Sequence, residues 1–164
     1  MFAQKAKYVN LLPPKDISSS AQAVDYVNVA NYQHATFFVT MGATGAVGAS
    51  KNITFTKAKD TSATSATSLP IVNYWTNASA IGSSSTANDT YVKQSAVASS
   101  GNDVALTASS NNIVYVFEFD TSELGDGYDA IGVAVAATSA AAICGVSALL
   151  TGARYQQASP PSAL

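Results

Sequence analysis

Reactive side chains are what this sequence has least of. Charged residues make up 11% of its 164 positions, against roughly a quarter in an ordinary soluble domain. There is one histidine, His34, one cysteine, Cys144, and one arginine, Arg154; the only glutamates are Glu118 and Glu123. Catalysis by general acids, bases or nucleophiles needs several titratable groups held together with shifted pKa values. The raw material for such a site is nearly missing, which predicts a non-enzymatic protein with no metal and no cofactor. A lone cysteine excludes an internal disulfide, so stability must come from packing or assembly. A basic stripe is missing too. Net charge is -2 and the lysines are scattered from Lys5 to Lys93, which argues against a nucleic-acid partner, because phosphate neutralisation needs clustered cations. The opening MFAQKAKYVNLLPPKD lacks the apolar run of about 7–15 residues that marks a secretory signal, so synthesis in the cytoplasm is expected.

Hydrophobic residues are nevertheless 48% of the chain, enough for a core. No segment carries a 3.6-residue apolar period with caps over several turns. Short runs with a two-residue period, separated by turn residues, predict antiparallel strands instead. Phe37, Val39 and Met41 share one face of such a run, and Ile53 and Phe55 share another. Further strands are expected at Ile71–Trp75, Tyr91–Ser95 and Val104–Thr107. The clearest strand is Ile113–Phe119, apolar on both faces and therefore central. A corner at 120–128 follows, with one helical turn at 121–125. There Leu124 before Asp126-Gly127-Tyr128 looks like the tyrosine corner of β-sandwiches.

Between Asp129 and Arg154 no residue is charged. Ala130–Leu150 has the length of a bilayer span, about 20 residues. Its Ala, Gly, Ser and Thr content and its alternation of Ile131, Val133 and Val135 predict instead a buried hairpin turning at Thr138-Ser139. No membrane partner is expected. The predicted fold is all-β: an antiparallel β-sandwich of jelly-roll type over residues 21–152. It carries an extended N-terminal arm at 1–20, stiffened by Pro13-Pro14, and an extended C-terminal tail at 153–164.

Few residues offer chemistry. Asp120, Glu123, Asp126 and Asp129 form the one acidic cluster, but their spacing is not that of an EF-hand, and turn capping suits them better. His34 has no second histidine to share a metal, and Cys144 sits in an apolar run with no cation beside it to lower its pKa. The glycines at 42, 45 and 48 form neither a dinucleotide fingerprint nor a P-loop. Trp75, with Tyr74 and Tyr91, offers a possible sugar-stacking platform, with ordinary packing as the plainer reading. The arms are the stronger candidates for partner contact. Leu12, Pro13 and Pro14 lie in the first, and Arg154, Tyr155, Pro160 and Pro161 in the second. Arg and Tyr are favoured at interface hot spots.

Four pieces in order carry a resemblance to small virion structural proteins of tailed bacteriophages. They are Leu12-Pro13-Pro14, the Asn31-Tyr32-x-x-Ala35-Thr36-Phe37 strand start, the Glu123-Leu124-x-x-Gly127-Tyr128 corner, and Ala153-Arg154-Tyr155 followed by Pro160-Pro161-Ser162-Ala163. The resemblance implies a capsid decoration or cement protein on the virion surface. Its expected partners are the major capsid protein and copies of itself, as a dimer or trimer. A tail or head-fibre protein that binds a receptor or glycan fits the same pieces.

Overall fold

The structure is a computed structural model. It describes residues 6–42, 52–77, 90–94, 101–106, 113–138 and 141–154. Their eleven strands are β1 (Ala6–Asp16), β2 (Gln22–Asn28), β3 (His34–Met41), β4 (Asn52–Ala58), β5 (Thr67–Ser68), β6 (Tyr74–Asn77), β7 (Tyr91–Gln94), β8 (Asp103–Ala105), β9 (Ile113–Asp120), β10 (Ala130–Val135) and β11 (Ile143–Thr151). Among the described residues the only helical piece is a 3-10 turn at Thr121–Leu124, where a helical turn was expected.

The strands form two antiparallel sheets. The larger runs β1-β11-β3-β9-β6-β7, and the smaller β2-β10-β4-β5, with β8 also on β4. Outer strands pair in nested fashion: β1 with β11, β2 with β10, β3 with β9, and β4 with β5. That is jelly-roll order, with the β6–β7 hairpin added beyond β9, and it bears out the all-β sandwich expectation.

The core forms where the alternating residues of both sheets meet. Phe37 of β3 and Phe55 of β4 come from opposite sheets, and their rings lie 5.2 Å apart, edge to face. Phe55 also touches Phe117 and Phe119 of β9, at 4.8 and 4.9 Å. All four rings are buried, with Ile53, Ile131, Val39 and Leu150 around them. The interior faces of β3, β4 and β9 are those that the period-two pattern predicts.

Two expectations are corrected. Residues 6–16 are not an arm: they form β1, the edge strand of the larger sheet, paired with β11 from Ala6↔Thr151 to Asp16↔Ile143. Ala6, Val9 and Leu11 are buried. The Pro13-Pro14 signal was genuine, but an edge strand tolerates proline, because one side of it needs no ladder donor. The register slips on both sides of Leu12, between Asn10 and Leu12 and between Leu12 and Lys15, and this irregularity accommodates the two prolines.

The second correction concerns 130–150. These residues are buried strands, but not a hairpin. β10 lies in the smaller sheet and β11 in the larger. The chain crosses between sheets, and the crossing is held by Thr138 N donating to Ile17 O (3.0 Å) and Ile17 N donating to Ala142 O (2.9 Å). No helix among the described residues is long and apolar enough to cross a membrane. The strand expected at Ile71–Trp75 starts later, at Tyr74, while Ile71 is buried in the loop before it.

Candidate functional site

The outer face of the larger sheet is the most distinctive surface. Residues directly opposite in a ladder share a face, so one row runs Asn10–Ser147–Phe38–Val116–Trp75–Lys93 across six strands. The adjacent row runs Tyr8–Leu149–Thr36–Glu118. Phe38, Leu149 and Trp75 are half-buried although they point away from the core, and Tyr8 is 61% exposed. Among the described residues no element packs on this face. An uncovered sheet would normally alternate apolar inside with polar outside; this one carries large apolar side chains on both sides.

At one end of the face lies a groove of about 420 Å³. Its floor and walls come from three adjacent strands and their extensions: His34 and Thr36 of β3, Glu118 and Asp120 of β9, Trp75 of β6, and Glu123 of the 3-10 turn. His34 and Asp120 are ladder partners, and Nδ1 of the histidine meets Oδ1 of the aspartate in an exposed pair. Glu118 and Glu123 are exposed. The groove therefore offers carboxylates beside one tryptophan, a polar rim with an aromatic wall. At the opposite end of the same face a more apolar hollow of about 290 Å³ lies between Pro14, Thr40, Val114 and Ile143, the last 48% exposed.

The partner-contact residues expected from sequence do not gather in one place. Leu12 is half-buried against the core, and Pro13 and Pro14 are exposed on β1. Arg154 lies at the other end of the molecule. Its backbone N donates to Asn31 O (2.9 Å), and its Nη2 donates to Thr121 Oγ1 (3.2 Å). It shares a crevice of about 230 Å³ with Asp126 and Asp129. Its guanidinium is thus engaged by a hydroxyl of its own chain, beside that acidic corner. Gly152, just before it, has φ +64, and a Cβ there would come within 2.9 Å of Gln33, so the turn into this corner requires glycine. Tyr155, Pro160 and Pro161 lie outside the described residues.

The three-aromatic platform is also corrected. Successive strand residues face opposite ways, so Tyr74 turns inward beside Trp75 and stacks on Phe117 at 5.6 Å. Tyr91 sits opposite Asn77, two residues along the strand from Lys93. Tyr91 shares the face of Trp75 but does not border the groove; there Trp75 is half-buried, and Phe119, the other aromatic at its border, is buried in the core. The corner at 120–128 does carry the chain from β9 of one sheet to β10 of the other, as expected, but the Tyr128 ring is engaged by Lys57 Nζ, 4.6 Å from its centroid. Lys57 Nζ also donates to Leu124 O. Asp60 closes the loop at 60–68 by accepting from Ser62 N (2.9 Å) and Thr64 N (3.1 Å); hydrogen bonds from the Thr64 side chain first, then from the Thr64 and Ser62 backbone, hold its carboxyl below the usual carboxylate range.

Cys144 is fully buried, and burial pushes its thiol up to about 12. Since the thiolate is the reactive form, native protein at pH 8 should show no labelling by a thiol-reactive disulfide reagent over minutes. The same protein in denaturant should titrate one thiol per chain at once. Rapid labelling of the native state would contradict the burial.

The chain matches no protein-family model and no curated protein. Among solved structures it is similar to the crystal structure of the SPBc2 prophage-derived protein YomS, with 9% sequence identity, 90% of this chain and 93% of that chain covered, and a TM-score of 0.47. A likeness of that degree bears on neither function nor partners.

Proposed function

We propose that this protein is a non-enzymatic structural component of a tailed-phage virion. In this reading it is a capsid decoration or cement protein that assembles with copies of itself and binds the shell of major capsid protein. The observation that carries the binding role is the outer face of the larger sheet, on which no described element packs and where Tyr8 is exposed and Phe38, Leu149 and Trp75 are half-buried in adjacent rows. Contiguous exposed apolar surface marks an interaction site. The virion assignment rests on the four sequence pieces that resemble phage structural proteins. Jelly rolls serve as capsid and lectin domains, but a fold alone does not choose between such roles. A fibre protein that binds glycans on a tyrosine–tryptophan platform is the weaker reading, because Tyr74 is turned into the core.

The chemistry suits a cement. A protein that binds the assembled shell better than free subunits stabilises the shell by mass action, and contacts repeated by symmetry add avidity.

The test is sedimentation of the purified protein with shells that lack it, alongside mass spectrometry of gradient-purified particles. Phe38→Asp places a charge in the middle of the face without touching the core. It should weaken shell binding about tenfold or more, as loss of a central interface anchor does, while the far-ultraviolet circular dichroism spectrum stays that of the folded sheet. Absence of the protein from particles, with no sedimentation on shells, would refute the proposal.

A further inference from the structure

We infer that this outer sheet face, on which no described element packs, is matched to a protein surface that sets an arginine or lysine side chain in the groove beside Trp75 and apolar side chains over Phe38 and Leu149. This deepens the shell-binding reading by naming the chemistry of the partner, and it rests on that reading for the partner's identity.

Charge complementarity carries the inference. Glu118, Asp120 and Glu123 all border the groove, and among the described residues no lysine or arginine does. Lys93 is ladder partner to Trp75, but it lies on β7, across β6 from Glu118 of β9. Asp120 has His34, whereas Glu118 and Glu123 stand exposed. Carboxylates next to an aromatic face form a receptor for a guanidinium or ammonium group: the acids accept its hydrogen bonds, and the ring quadrupole attracts its charge. Arginine suits this best, since its planar fork can pair with a carboxylate while its face lies on an indole. The groove opens onto the apolar rows, so one partner surface reaches both. Trp75 lies between Lys93 and Val116 in its row, and Phe38 follows Val116, a continuous path from the acidic end to the middle of the sheet. A neutral sugar also stacks on tryptophan. It has no use for three carboxylates.

Two measurements test this. The first is shell sedimentation of the full chain at low and high salt, with wild type and Glu118→Gln/Glu123→Gln. Wild-type binding should weaken as salt rises. The double variant should bind about tenfold more weakly at low salt and lose most of the salt dependence, as removal of complementary charges does. Equal affinity and equal salt dependence would overturn the inference and leave the shell-binding proposal standing. The second measurement needs no shell. Trp75 is the only tryptophan, so its fluorescence reports on the groove alone. The peptide acetyl-Ala-Arg-Ala-amide should shift that fluorescence in wild type and not in the double variant, and acetyl-Ala-Gln-Ala-amide should not. A response to maltohexaose with none to the arginine peptide overturns the inference in favour of a sugar groove. If wild type fails to sediment with shells, the function proposal falls, and the peptide titration alone decides the groove.

Discussion

Phe55→Ala should abolish most of the protein's stability. The ring sits at the junction of the two sheets, fully buried, within 5.2 Å of Phe37, 4.8 Å of Phe117 and 4.9 Å of Phe119, centroid to centroid. Truncating a buried phenylalanine costs about 3–5 kcal/mol, from lost transfer energy and the cavity left behind. Lost edge-to-face and tilted contacts add roughly 0.5–1.5 kcal/mol per pair. Collapse of the site is resisted, because Phe55 is fixed by a ladder on each side: Val133 of β10 is its partner on one, and its backbone N donates to Asn102 O (2.7 Å) on the other. A domain of this size has about 5–15 kcal/mol in total, so the variant should unfold at a much lower denaturant concentration or fail to fold. Val92→Ala, on β7 and 43% exposed, is the control and should shift the midpoint little. Equilibrium denaturation followed by far-ultraviolet circular dichroism makes the comparison, and a small effect at Phe55 would mean that the sheets do not pack as described.

Much of this core was legible because a half-buried strand writes its orientation into a two-residue period. Ile53 and Phe55 of β4, and Tyr115, Phe117 and Phe119 of β9, are buried as that period requires. What the period does not encode is pairing. Ala130–Val135 and Ile143–Thr151 are adjacent in sequence, yet each finds its ladder partners far away, β10 on β2 and β4, β11 on β1 and β3. The supposed hairpin failed for that reason. The groove was invisible for the same reason. His34, Trp75 and Glu118 are 41 and 43 residues apart along the chain, and only the order β3-β9-β6 brings them together. Tyr74 is a different case. Its inward turn was readable from its neighbour, since Trp75 and Tyr74 in one strand face opposite ways. Arg154, expected from sequence as a partner-contact residue, is held through Nη2 by Thr121 of its own chain, a tertiary fact that no local pattern carries.

Removal of residues 1–16 should be nearly as damaging as the core substitution, although proline-rich chain ends usually tolerate deletion. The deleted segment is β1, and its loss strips the ladder from β11 along its whole length, from Ile143 to Thr151. It also removes Val9 and Leu11 from the core; burial of each such side chain is worth about 1.5–3 kcal/mol. Ile17 would become the first residue while still bound through its backbone to Ala142 and Thr138, so the crossing between β10 and β11 would begin at a frayed end. β11 would then present unpaired donors and acceptors flanked by Val146, Ala148 and Leu150, an edge that invites pairing with other chains. The truncated protein should bind a hydrophobic dye, sediment as aggregates and lose its cooperative melting transition. A free arm would give the opposite result, an unchanged melting temperature, and that outcome would dismiss β1 as part of the sheet. It follows that shell binding has to be probed by point changes on the outer face, such as Phe38→Asp, because truncation of the N-terminal segment would remove the fold together with any contact it makes.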